Sequence, residues 1–281
     1  MSEHRPVKTL FLSGLIFVLI AGPVFAGAWT REKGGLYAQI TANKYTADKN
    51  FDNDGNKEDF ADNGEFSDEN MSLYLEYGLA DNLTMIGSWS YKWLEYENDM
   101  IRNQTDGLSD LELGMKYRLF EKNGGICSIQ ALVKIPEAYD EDDAVPLGNA
   151  QYDYEFRFLY GQSLYPHFPG YLNLEAGYRF RAEEPADELK YLLEFGVDFT
   201  KKLYGRIKLD GTYGMGNAEK GSAFSDNPSA TFDYDLGKLE TVLGLKISDQ
   251  WGTELGYRKE IYGKNISSGE NWSLAVTYQI P

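Results

Sequence analysis

From about residue 35 to the end of the chain, apolar and polar side chains alternate one for one, the period of a β-strand whose two faces meet different surroundings. Between 110 and 119, Leu111, Leu113, Met115, Tyr117 and Leu119 share one face, and Asp110, Glu112, Gly114, Lys116 and Arg118 share the other. Between 172 and 181, Leu172, Leu174, Ala176, Tyr178 and Phe180 oppose Asn173, Glu175, Gly177, Arg179 and Arg181. From 188 to 199 the same alternation continues, with Leu192 as its one apolar intruder. Reading on in this way predicts about twelve strands, each long enough to cross a bilayer at a tilt. They fall near 35–46, 69–80, 82–96, 108–121, 125–136, 150–164, 170–183, 187–200, 202–216, 234–247, 249–262 and 269–280. No proline interrupts a strand core, as a hydrogen-bonded ladder requires.

The connections alternate as well. Short turns are expected at Ala80-Asp81-Asn82, Lys122-Asn123-Gly124, Tyr165 to Pro169, Lys201 and Ser248-Asp249. Longer polar loops are expected at 47–68, 97–107, 137–149, 217–233 and 263–268, with 183–187 a shorter exception. An even strand count with short turns at one end and long loops at the other is the outer-membrane pattern. The fold class expected is therefore all-β, a closed antiparallel transmembrane β-barrel of about twelve strands with both termini in the periplasm. A soluble β-sandwich also alternates, but it packs its apolar faces into a core and seldom sustains so many long strands. Trp89, Tyr91 and Trp93 on one strand, and Tyr152, Tyr154, Phe156, Phe158 and Tyr160 on another, form aromatic stripes suited to a lipid interface.

The first 26 residues read as a secretory signal: Arg5 and Lys8, an apolar run from Leu10 to Ala21 too short to span, and small Ala26 at the cut. That reading divides the chain into a signal peptide, 1–26, and a single barrel domain, 27–281, exported to the outer membrane of a Gram-negative bacterium. Composition agrees with it, since 21 tyrosines and 29 glycines suit interfacial girdles and a narrow interior. A formal net charge of −17 argues against a nucleic-acid partner, whose phosphates need Lys and Arg. Cys127 stands alone, so no intramolecular disulfide forms. The partners expected are outer-membrane lipid and lipopolysaccharide, the barrel-assembly machinery and a small-molecule solute.

If the polar faces turn inward, the lumen is lined by charges of both signs: Lys116, Arg118, Glu155, Arg157, Glu175, Arg179, Glu194, Arg206, Lys208, Asp210, Glu254 and Arg258. Such side chains either leave a narrow wet pore or close it with ion pairs. No plug-like helical domain is expected ahead of the first strand. No catalytic residue is assigned: after the signal the chain has one histidine, His167, in a predicted turn between Pro166 and Pro169, so a histidine-based pair lacks its base on the outer side. No cofactor is expected beyond a weak Ca2+ site in the acidic 48–70 loop. There Asn50, Asp52 and Asp54 match the opening of an EF-hand loop, but the bidentate twelfth position falls on Ala61.

Two stretches carry a resemblance: Glu76-Tyr77-Gly78-Leu79-Ala80-Asp81-Asn82-Leu83-Thr84, and Gly107-Leu108-Ser109-Asp110 running on through Leu111-Glu112-Leu113-Gly114-Met115-Lys116-Tyr117-Arg118-Leu119-Phe120. They resemble the outer-membrane proteins grouped with the meta-pathway of phenol degradation, a transporter-like barrel family. The resemblance implies a passive channel or facilitator for a small molecule, aromatic or otherwise apolar. Two other readings stay open on the residues alone, a non-transporting barrel whose acidic loops bind a surface partner and, less favoured, a barrel enzyme.

Overall fold

The structure is a computed structural model that describes residues 27–136, 139, 143–183, 185–218 and 232–280. Its described residues form strands β1 (Leu36–Phe51), β2 (Lys57–Asp59), β3 (Glu65–Ala80), β4 (Leu83–Glu97), β5 (Arg102–Leu108), β6 (Leu111–Lys122) and β7 (Gly125–Ile135). They continue with β8 (Asp153–Ser163), β9 (Gly170–Arg181), β10 (Glu188–Asp198), β11 (Leu203–Gly214), β12 (Asp235–Lys246), β13 (Trp251–Lys264) and β14 (Ile266–Ile280). Twelve of these run antiparallel to their chain neighbours, and β14 pairs back onto β1 from Leu36↔Ile280 to Phe51↔Ile266, closing the sheet into a barrel. Closure leaves the ladder without an open edge, which is what lets a β-structure stand in hydrocarbon. Strands β2 and β5 are not staves. They pair with the far ends of β1 and β4, above the barrel.

The two faces separate as the alternation requires. Leu113, Leu174, Leu243 and Leu274 project outward and are 40% to 58% exposed, and Phe156 reaches 70%. A continuous apolar band of this kind is untenable in water but is the normal outer surface of a membrane barrel. Aromatic rings collect at its borders: Tyr91 against Trp93, Tyr257 against Trp272, and Tyr191, Tyr213 and Tyr262 in one stack. Leu113→Arg should therefore cost about 2–4 kcal/mol in a lipid refolding titration, while the same change at Leu119, near the rim, should cost about 0–1 kcal/mol. Equal losses at the two positions would contradict this placement of the hydrocarbon.

Three expected loops differ. The 47–68 loop is shorter than predicted because β1 continues to Phe51 and β3 begins at Glu65. Residues 97–107 fold as a hairpin in which β5 pairs with the end of β4. Residues 263–268 are no loop at all: β13 turns directly into β14 at Asn265, whose φ of 52° an asparagine side chain tolerates. The cause is common to all three. Beyond the lipid the outward face of a strand meets water and carries polar residues, so its sequence loses the alternation by which strands are read.

The segment before β1 gives a fourth difference. Residues 27–35 turn back into the short-turn end of the barrel. The close approach is made at Gly78, where a side chain would collide with the Glu32 carbonyl at 1.8 Å and where Gly34 donates its N–H to the Gly78 carbonyl at 2.8 Å.

Candidate functional site

The inward faces of the twelve staves hold the charged residues that the sequence singles out, and the structure ties nearly all of them together. Glu76, fully buried on β3, accepts from Arg31 Nε at 2.7 Å, Lys116 Nζ at 2.9 Å and the Tyr74 hydroxyl at 2.8 Å. Across the barrel Arg206 pairs with Glu254 at 2.5 Å, and the Tyr204 hydroxyl donates to the same carboxylate at 2.6 Å. Lys208 lies 3.1 Å from Glu240 and 3.9 Å from Glu194, and Glu194 also accepts from Tyr171. Arg157 joins Glu155 to Glu175, the second contact being 2.9 Å. Arg179 bridges Glu155 and Glu112, 2.7 Å from each, and Lys238 pairs with Asp210 at 2.8 Å. Charges held this far from bulk water need partners, since an unpaired one costs several kcal/mol.

Two of the twelve candidates stand apart from this network. Arg118 sits at the short-turn rim, where it pairs with Glu121 at 2.5 Å and donates to the Asp81 carbonyl, so it does not reach the column of paired charges. Arg258 faces the lumen without an ion pair among the described residues.

Residues 27–31 occupy the lower lumen, with Glu32 and Lys33 exposed at its rim, an arrangement that sequence reasoning missed. Ala28 is completely buried; its N–H donates to Asn173 Oδ1 at 3.2 Å, and its carbonyl accepts from Ser128 Oγ at 2.6 Å. The Gly27 carbonyl accepts from Lys116 Nζ at 2.7 Å, and the Arg31 N–H donates to Thr84 Oγ1 at 2.8 Å. These partners sit on β9, β7, β6 and β4, so the segment crosses the interior. Trp29 packs edge-on against Tyr171 and lies over Gly161, where any side chain would strike the indole at 2.5 Å. A tryptophan in a stretch too short and irregular for a strand is the one sequence signal of a buried segment.

Toward the long-loop end the lumen opens into a cavity of about 410 Å³. The connection between β7 and β8, expected to be a surface loop, partly folds into the mouth beside it. Val145 and Leu147 are buried with Tyr45, Phe60, Phe66 and Leu94, and the Leu147 carbonyl accepts from Lys92 Nζ at 3.3 Å and Ser109 Oγ at 3.2 Å. Tyr139 donates to Asp110 at 2.5 Å and accepts from the Ala150 N–H at 2.9 Å. Burial, then the bond to Asp110, pushes its hydroxyl pKa upward, so it stays a donor. The apolar run Ala144-Val145-Pro146-Leu147 inside an acidic stretch was the legible sign of this inward fold.

The three residues of the cation candidate lie at the end of β1 and in the turn after it, and Asp54 contributes its backbone N–H there. Asn50 lies in β1, paired with Ser267 and Glu58. Asp52 Oδ1 accepts the N–H groups of Asp54 and Asn56 at 2.8 Å, and Oδ2 accepts the Asn56 side-chain amide at 3.1 Å. These bonds, Asn56 foremost, hold the Asp52 carboxyl below the usual range and make it the cap of a turn. Among the described residues no group of three or more His, Cys, Asp or Glu side chains is arranged to hold a metal ion. His167 sits exposed in the turn between β8 and β9, on the outside of the lumenal network.

No family model and no curated protein matches the chain. Solved structures do. The COG4313 outer membrane channel from Pseudomonas putida F1 superposes with a TM-score of 0.70 at 14% identity, over 90% of this chain and 98% of that one. The KdgM porin in complex with disordered oligogalacturonate gives 0.50 at 9% identity, over 86% of this chain and 99% of that one. At such identities the likeness is one of fold, and it agrees with the transporter-like barrel that the stretches 76–84 and 107–120 resemble.

Proposed function

We propose that this chain is a passive channel of an outer membrane for a small solute, with the short turns and termini in the periplasm and the 410 Å³ cavity opening outward. The observation that carries the reading is a closed barrel whose lumen is lined mostly by charged and amide side chains and contains a chamber of solute size. The two neighbours in fold are a membrane channel and a porin by name, which supports it. An enzyme reading finds no support in an exposed His167 remote from the lumenal carboxylates. Apart from Tyr45, Phe66, Tyr234 and Leu236, the chamber is lined by charged and amide side chains, so it favours a polar solute over the aromatic or apolar one that the family resemblance implies.

Planar-bilayer recording of the refolded chain tests the proposal. Because the lumen is narrowed by residues 27–31 and by ion pairs, conductance should be small and weakly selective. Replacing Arg157, Arg179 and Arg206 singly by Gln leaves lumenal carboxylates in excess, so reversal potentials across a salt gradient should shift toward cation selectivity. The paired lumen also favours a second reading, a non-transporting structural barrel. Absence of conductance in wild type and in every variant would establish that one instead.

A further inference from the structure

The chamber is lined by eleven charged residues, and most of them are spoken for. Lys134 lies 3.1 Å from both Asp110 and Asp153, and Glu188 takes Arg181 at 3.1 Å and Lys190 at 2.8 Å. Arg179 and Lys238 are held by carboxylates outside the chamber wall. Three charges remain without an ion pair among the described residues: Arg258, Asp68 and Glu260.

They lie on one stretch of wall. Arg258 on β13 is in register with Asn271 on β14, Asn271 with Tyr45 on β1, and Tyr45 with Asp68 on β3. Glu260 is two residues along β13 on the same face. Three strand spacings of about 4.8 Å put Arg258 roughly 14 Å from Asp68 along the wall. The carboxylates are oriented from behind. Glu260 Oε2 accepts the Tyr45 hydroxyl and the Gly269 N–H, both at 2.8 Å, and Asp68 Oδ1 accepts the Asn70 amide at 2.8 Å. Asn70 is itself fixed by Asn43 at 2.9 Å. Each carboxylate thus keeps its second oxygen free of those bonds, and Arg258, opposite Glu240 in register but forming no ion pair with it, keeps its guanidinium free of hydrogen bonds among the described residues.

One cation and two anions without ion pairs among the described residues, in a confined space, call for a ligand of the opposite pattern, with one carboxylate and two cationic groups. We propose that this wall binds a basic amino acid, its carboxylate on Arg258 and its two cationic groups on Asp68 and Glu260. A guanidinium–carboxylate contact is bidentate and geometrically selective, which suits Arg258 to that end of the ligand. A divalent metal is a poorer match, since it wants six or more oxygens and no arginine beside it. The inference names the solute of the proposed channel and rests on that reading for the route by which the solute arrives.

Calorimetric titration of the refolded, detergent-solubilised full chain tests the site without requiring transport. L-arginine should bind at least about ten-fold more tightly than L-alanine or agmatine, which lack a second cation and a carboxylate respectively. Arg258→Gln breaks no native bond, so the barrel should fold, as circular dichroism would verify. It should weaken L-arginine about ten-fold and leave agmatine unchanged. Asp68→Asn should weaken both ligands. No L-arginine binding to folded wild type, or the same affinity in both variants, would overturn the assignment. Binding that responds to Asp68→Asn but not to Arg258→Gln would mark a simple cation site and overturn it too. Saturable L-arginine binding without conductance would keep the site and remove the channel; conductance without binding would do the reverse.

Discussion

A barrel refolded from Gly34 onward, lacking residues 27–33, is expected to conduct severalfold more current than the chain that begins at Gly27. The removed segment fills the lower lumen, with Ala28 fully buried, Trp29 packed on Tyr171, and backbone groups bound to Lys116, Ser128 and Asn173 on three different staves. None of these contacts belongs to the closed ladder, which begins at Leu36, so the wall itself should survive the deletion. Some stability will be lost. Glu76 keeps Lys116 but loses Arg31, and the Asn173 amide loses a backbone partner. Single-channel recording alongside urea unfolding in lipid vesicles separates the two effects. Unchanged conductance with unchanged stability would mean that the segment does not reside in the lumen under membrane conditions.

The largest loss of stability from a single substitution is expected at Arg206. Its guanidinium and the Glu254 carboxylate are both more than nine-tenths buried, on β11 and β13, and meet at 2.5 Å over the intervening strand β12. Among the described residues, Arg206→Met leaves Glu254 with the Tyr204 hydroxyl and a long contact from Gln39, so an ionised carboxylate is stranded in the interior. Breaking a buried pair from one side costs about 3–5 kcal/mol, more than an arginine placed on the lipid face. Adding Glu254→Gln removes the stranded charge and should restore most of the loss. A cost under about 1 kcal/mol for Arg206→Met would mean that water reaches the pair, and hence that the lumen is wider and wetter than the ion-paired column described above.

How the fold could be read differs from one part of the chain to another. From Leu111 to Lys122 or from Gly170 to Arg181, each residue faces either hydrocarbon or the lumen, and that contrast is written into the sequence with a period of two. The twelve staves, their order and their inward charges were legible for this reason. Above the membrane the contrast vanishes. The ends of β1 and β3, the β5 hairpin and the tight turn at Asn265 were hidden because their outward faces meet water, even though Phe51, Phe66 and Ile266 are buried.

The site was legible only in its ingredients. That Arg206, Glu254, Lys208 and Glu194 face inward follows from alternation; that Arg206 meets Glu254 across a strand, while Arg258, opposite Glu240 in register, forms no ion pair among the described residues, depends on register and shear, which no local pattern encodes. The same holds for Trp29 and Leu147, apolar residues in segments without periodicity, whose burial exists only once the barrel has closed around them. The sequence by itself determined a barrel, its lipid face and a charged interior, because those depend on each residue's own polarity and its parity along the strand. Tertiary structure alone decided which charges are neutralised, which three of the chamber's charges form no ion pair among the described residues, and what narrows the lumen, because these depend on distances between residues far apart in the chain.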